Sequence, residues 1–297
     1  MMDWSLLSVD ALVDRVEYSQ YTNKQLLAIP VGVFVISLLI LLGAFVIAGT
    51  PVQLGVDFSG GTEFRVAPDS VEGSPEAVIE EEFPNSSSIQ QVPAEGTFIV
   101  TFRSTDLDTA AVSDEFESLG FTIESSSTIS ASFGSGSQIT MIQGVLVAFG
   151  GMSIVTFVLF REFIPSITVV ASALSDLIVP LAFMSLFGIQ LTLGTVAALL
   201  MLIGYSVDSD MVLNDKVLRQ PGSFYESVDT AMRTGLSMST TSLIAMGIMA
   251  LAGTVFGVSL LRNIGLIIGV GLLVDIMNTY LMNITLLRWY KHNYIGS

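Results

Sequence analysis

Six apolar runs dominate this sequence, at residues 28–49, 139–160, 164–187, 194–217, 235–255 and 261–289. Each is long enough to cross a bilayer, which takes about 20 residues of helix. Backbone N–H and C=O groups find no water in hydrocarbon, so such runs must satisfy their hydrogen bonds internally, as helices. The expected fold is an α-helical polytopic membrane protein with six transmembrane helices. Only 13% of residues are charged and the mean hydropathy is +0.71, which leaves too little charge to cover a soluble surface. The loops after the second, third and fifth runs are very short, so the helices they join must be antiparallel neighbours. The last run is longer than a span needs and is expected to extend past the membrane surface.

The one long polar segment, 51–138, separates the first span from the other five. It holds fifteen acidic residues against two basic ones, Arg65 and Arg103, and so carries −13 of the chain's net −16. Dense salt screens the self-repulsion of such a surface, which points to a high-salt milieu; the rival is an acidic surface made for a basic partner. The sign disfavours nucleic acid as a partner. Within the segment, residues 56–66 and 97–102 read as strands, with Phe64, Val66, Phe98, Val100 and Phe102 at period two. Residues 75–83 and 107–119 read as helices opened by Ser74 and Asp106. Residues 87–92 and 121–129 complete a β-α-β-β-α-β order, the pattern of a ferredoxin-like α+β unit. The Ser- and Gly-rich stretch 125–137 reads as a flexible connection back to the membrane.

Basic residues near the span ends set the expected orientation. With the N-terminus inside, Arg15, Lys24, Arg161, Lys216, Arg219, Arg233, Arg288 and Lys291 lie inside, and Arg65, Arg103 and Arg262 outside. The domain plan is then a cytoplasmic amphipathic segment 1–27, a first span 28–50, an external domain and linker 51–138, a five-helix bundle 139–289 and a cytoplasmic tail 290–297. The N-terminal segment is too long and acidic to read as a signal peptide. With no cysteine and one histidine, His292, the chain offers no thiolate or histidine pair. No metal, no cofactor and no enzymatic activity are expected.

Carboxylates inside hydrocarbon cost several kcal/mol and mark function by default. Asp176 falls in the third span, Asp208 and Asp210 in the fourth, and Asp275 in the sixth. The bland reading is that each stays neutral or is bonded to neighbouring Ser and Thr residues. Four in one bundle, with Arg233 as a countercharge, fit a proton relay better. Asp208 and Asp210 point about 200° apart on a helix, so at most one faces the bundle centre. Asp208 shares a face with Gly204 and Asp215, which favours it slightly. Gly144, Gly150, Gly151, Gly265, Gly269 and Gly271 allow close helix approach.

Residues 54–62 read LGVDFSGGT, with Gly55, Asp57, Gly60 and Gly61 at a domain–membrane junction. The glycines admit backbone angles closed to other residues, and Asp57 is expected to bond turn amides. No P-loop lysine follows and no helix is expected there, so a phosphate cradle is excluded. This segment resembles the signature of the SecF branch of the SecD/SecF protein-export family. Further matches are YTNKQLLAIP at 21–30, Ser175-Asp176, Gly204-Tyr205-Ser206-Val207 followed by Asp215-Lys216-Val217, and Met232-Arg233-Thr234 ahead of Ser239-Thr240-Thr241. The resemblance covers nearly the whole chain, in order. It implies an auxiliary subunit of the Sec translocase, paired with SecD and driven by the proton gradient. Its membrane part would be half of a resistance-nodulation-division-like bundle, in the cell membrane. Its partners would be SecD, the Sec translocon channel, the translocating secreted polypeptide and membrane lipid. The acidic composition looks like that of a haloarchaeal member. One departure stands out. The bacterial pattern places its fourth-span acid at Ser209, whereas here Asp208 and Asp210 flank that position.

Two other classes compete. A stand-alone exporter of lipids or small molecules on the same fold would need a second six-span half, which this chain lacks. An intramembrane aspartyl protease could use paired acids to activate water, but its G-x-G-D signature is missing.

Overall fold

The computed structural model describes residues 20–71, 73–92, 96–103, 107–219 and 223–295. The expected amphipathic segment falls almost wholly outside them, as does the Asp106 cap. Six helices are long and apolar enough to cross a membrane. The first, α1 (Asn23–Ala48), starts five residues before the apolar run because Thr22 and Gln25 form a capping box, and it ends at Gly49 with a left-handed φ of 75°. After the soluble domain come α5 (Ala131–Phe160), α6 (Phe163–Phe187), α7 (Leu193–Arg219), α8 (Phe224–Val255) and α9 (Ser259–Met277). The last span continues through a π-helical turn, Asn278–Asn283, into α10 (Ile284–Tyr290). Its expected excess length is therefore real.

α6, α7 and α9 form the buried centre, and α1, α5 and α8 present Val46, Ile47, Val147 and Ile248 outward. Such outward apolar faces are stable only against lipid or another membrane protein. Gly271 of α9 sits where a Cβ would come 2.1 Å from Leu202 of α7, and Gly265 where it would meet Met246 O and Ala250 of α8. By contrast, Gly144, Gly150 and Gly151 of α5 have open space there, and Gly269 reaches only Leu243. Close packing thus belongs to two of the six expected glycines.

The soluble domain follows the expected order: a one-turn helix α2 (Val56–Ser59), β1 (Gly61–Pro68), α3 (Pro75–Glu82), β2 (Ser88–Val92), β3 (Thr97–Phe102), α4 (Thr109–Ser118) and β4 (Phe121–Ile129). The antiparallel sheet runs β2-β3-β1-β4, the ferredoxin-like arrangement. Its core is aromatic: Phe64, Val66, Phe98, Val100 and Phe102 face Ile79, Phe83 and Phe116 of the helices, with Phe83 and Phe116 stacked 4.2 Å apart. Asp108, two residues past the expected cap, accepts from Ala110 and Ala111 N–H and opens α4.

Two expectations at the junction are corrected. Residues 56–59 are helical, because Phe58, Ser59 and Gly60 N–H reach back to Gly55 O and Val56 O; β1 begins only at Gly61. The 125–137 stretch is ordered: residues up to Ile129 pair with β1, and Ser130 caps α5 through Phe133 N–H. Small polar residues there serve strand pairing and a helix cap instead of slack.

Candidate functional site

α6, α7 and α9 each bring one carboxylate to the middle of the bundle. Asp176, Asp210 and Asp275 are at most 1% exposed. On α7 the choice between the two acids is settled in space: Asp210 points inward, whereas Asp208 lies exposed on the opposite face beside Gly204 and Tyr205. The face that Asp208 shares with Gly204 is therefore the outward one. Gly204, on that shared face, meets open space.

Each buried acid is surrounded by donors. Asp176 accepts from Ser206 Oγ at 2.5 Å and Asn278 Nδ2 at 2.7 Å, with Ser172 Oγ at 3.4 Å. Asp275 accepts from Ser209 Oγ at 2.9 Å through both oxygens. Asp210 accepts from Thr279 Oγ1 at 2.8 Å and from Asn283 Nδ2. Thr279 also lies 3.5 Å from Asp275 and 3.4 Å from Ser209. Asp275, Ser209, Thr279 and Asp210 therefore form one continuous polar path, and Ser206 O, 2.9 Å from Ser209 Oγ, is an alternative acceptor for the same hydroxyl proton next to the residues around Asp176. Ser209, where the bacterial pattern would put an acid, is the hydroxyl that connects α7 to Asp275.

The π turn explains how α9 contributes so many partners. Residues 278 and 283 lie about 140° apart on an ideal α-helix. The i→i+5 spacing of a π turn stacks them on one side. Asn278 and Asn283 thus meet Asp176 and Asp210 from a single strip. Sequence reasoning missed Ser172, Asn278, Thr279 and Asn283; the available signal was three polar residues inside the last apolar run. Several buried atoms have no partner among the described residues: Asp210 Oδ2, both polar atoms of Asn214, and Oδ1 of Asn278 and Asn283. Leaving such a group unpaired costs about 1–3 kcal/mol.

The remaining expected residues sit elsewhere. Arg233 donates to Asp229 at 3.0 Å, one turn away on α8. Asp215 pairs with Arg219 at 3.4 Å, and Arg219 also reaches Leu159 O at 2.6 Å. Tyr205 is 38% exposed, whereas Ser206 is fully buried.

Gly55, Asp57, Gly60 and Gly61 build a junction on the domain side. Gly55 N–H donates to Leu191 O at 2.8 Å and Leu191 N–H to Gln53 O at 2.7 Å. Asp57 does not bond turn amides: its Oδ2 accepts from Leu193 N–H, the first residue of α7, at 2.9 Å. Gly61, at φ 131°, leaves no room for a Cβ, which would lie 2.2 Å from Phe102 O. Above the junction, a cavity of about 330 Å³ between the sheet and the starts of α7 and α9 is lined by Asp57, Glu63, Thr101, Gln190 and Asn263. Burial pushes the Glu63 carboxyl above its ordinary range; Asp57 adds to this and Arg65 opposes it.

A six-span bundle with an interior carboxylate path and a ferredoxin-like domain after its first span defines a class of multi-pass membrane protein. The chain belongs to the SecD/SecF family of protein-export membrane proteins: the SecD/SecF C-terminal model matches residues 109–293 and the SecD/SecF GG motif residues 45–70. It is similar to protein-export membrane protein SecF of Haloferax volcanii, 49% identical over 95% of this chain and 98% of that one. The SecF of Methanolacinia petrolearia is 38% identical over 92% and 96%. A crystal structure of SecDF, a translocon-associated membrane protein from Thermus thermophilus, shares the fold with a TM-score of 0.73 at 23% identity. A second SecDF structure, in a super-membrane-facing form, gives a TM-score of 0.60 at 24% identity. The alignment covers 94% of this chain but only 39% of the Thermus chain, so this chain spans about two fifths of its length.

Proposed function

We propose that the chain acts as the SecF subunit of a SecD-paired accessory to the Sec translocase, using the proton gradient to assist export of secreted polypeptides. The observation that carries this reading is the buried path linking Asp275, Ser209, Thr279 and Asp210, with Asp176 alongside. Three carboxylates excluded from water cannot all hold charge cheaply. Loading and releasing a proton among them would change the charge inside the bundle and so its preferred packing. Asp208 supports the pairing. It is a carboxylate on an exposed face of a span, with no hydrogen bond or ion pair among the described residues, and hydrocarbon is a poor neighbour for it. A second membrane protein covering that face, such as SecD, removes the difficulty. In this reading both termini are cytoplasmic, residues 51–138 are extracellular, the protein resides in the cell membrane, and the acidic domain meets the emerging polypeptide next to the translocon channel.

The test replaces Asp176, Asp210 and Asp275 singly with Asn and measures export of a secreted reporter in cells lacking the native gene. Loss of export with the partner complex intact is the expected result. Wild-type export from all three variants would defeat the relay.

A further inference from the structure

The relay proposed above lies deep in the bundle, and the substrate-facing domain lies outside it. We propose that Asp57 is the positioning residue that couples them, by fixing the start of α7 to the soluble domain. This inference rests on the relay reading and adds the route by which the relay moves the domain.

The junction is a clamp with several independent contacts. Leu54 and Leu191 form a parallel bridge, flanked by the Gly55–Leu191 and Leu191–Gln53 hydrogen bonds. The first N–H groups of a helix lack intrahelical acceptors. At α7, Thr192 Oγ1 takes Thr195 N–H at 3.2 Å, and Asp57 takes Leu193 N–H from a different part of the chain. A carboxylate at this end also complements the helix dipole. On the other side, Gln138 of α5 donates to Phe58 O at 2.6 Å. Gly134 packs so closely that a Cβ there would lie 2.8 Å from Phe58 O and Gly60 N. The single turn α2 is thus pinned to the starts of α5 and α7, and β1 begins two residues after it ends.

Geometry makes α7 the transmission rod. Asp57 holds its first residue, and Asp210 lies seventeen residues further along, about 26 Å down the same helix. α7 runs unbroken from Leu193 to Arg219, so a tilt that accompanies a change at Asp210 reaches α2 and β1 while the clamp stays shut. Without Asp57, the first residue of α7 is held to the domain only through the backbone bonds at Leu191, and the helix can slip against α2.

The chain has no cysteine, which permits a clean test. A Cβ on Gly55 would stand 2.8 Å from Thr192 Cγ2, close to where a bridging sulfur would sit. The Gly55→Cys/Thr192→Cys pair therefore makes a reversible covalent clamp. The complex with its partner subunit is reconstituted in proteoliposomes, and hydrogen exchange of β1 and β4 is followed with and without a proton gradient. Expected are a gradient-dependent change in the parent protein, its loss in Asp210→Asn, and at least a threefold reduction in Asp57→Ala. Asp57→Asn, which keeps an acceptor oxygen but no charge, should respond like the parent. The disulfide should restore the response of Asp57→Ala, leave the parent response intact, and lose the rescue on reduction. A full response from Asp57→Ala, an Asp57→Asn variant as impaired as Asp57→Ala, failure of the disulfide to rescue, or a parent protein silenced by it each overturns the coupling. A response that survives in Asp210→Asn instead removes the relay reading and leaves the clamp to be judged on Asp57 alone.

Discussion

At the residue scale, the two acids of α7 make opposite demands. Asp210 is enclosed by Thr279 and Asn283, so Asp210→Asn keeps the volume but removes the exchangeable charge. Export of a reporter should fall at least tenfold, on the order of 1.4 kcal/mol or more in a rate-limiting barrier. Asp208→Asn should instead leave the interior path intact and alter recovery of the chain with its partner, measured by co-purification. Glu63 allows a prediction about pH. Its carboxyl is raised mainly by burial, so the folded state binds that proton more tightly than the unfolded chain does. The associated stability is fully present below the ordinary carboxylate pKa of 4.5 and is lost as pH rises through the raised value. Glu63→Gln should therefore raise the thermal midpoint at neutral pH and make no difference near pH 4. A variant that melts no higher than the parent at pH 7 would contradict this.

At the element scale, α9 and its π turn carry the most. Asn283→Ala removes one donor from Asp210 and should lower stability to unfolding in detergent by about 0.6–2 kcal/mol, the range for a hydrogen bond between membrane helices. Deleting Met282 from the π turn Asn278–Asn283 should convert it to α-helix with Asn278 and Asn283 four apart on one face and preserve export, whereas inserting one residue there should turn them apart and abolish export while the span stays inserted. The glycines offer a graded comparison. Gly265→Ala would push against backbone atoms of α8, Gly271→Ala only against the Leu202 side chain, and Gly144→Ala against nothing. Their costs should fall in that order, from about 3 kcal/mol at Gly265 through about 1 kcal/mol at Gly271 to near zero at Gly144.

At the scale of the whole molecule, the placement of charge and the packing of spans tell one story. The acidic residues concentrate in the domain between the first two spans, and the central helices α6, α7 and α9 enclose the only three acids that the bundle buries among the described residues. Single cysteines in an otherwise cysteine-free chain make the orientation measurable. A membrane-impermeant maleimide applied to intact cells should label a cysteine at exposed Glu117 of α4 and leave one at Tyr225 of α8 unlabelled. The reverse pattern would invert the orientation and place the domain inside.

Much of this protein was legible in its sequence. Apolar run length determined the six spans, because hydrocarbon thickness admits little choice. Period-two aromatics and turn residues determined the β-α-β-β-α-β domain, and the cost of a carboxylate in hydrocarbon marked Asp176, Asp208, Asp210 and Asp275, of which all but Asp208 are buried. What the tertiary structure decided were matters of rotation and distant contact. Helical spacing alone established that Asp208 and Asp210 diverge, but only the packing of α7 against α6 and α9 turned Asp210 inward. The π turn has no local signature, since one extra residue in a turn is held by the partners it reaches, Asp176 and Asp210. The acceptor role of Asp57 lay equally out of view, because its partner, Leu193, is 136 residues away. Local chemistry makes Asp57 a turn residue, and only the folded chain makes it the cap of another helix.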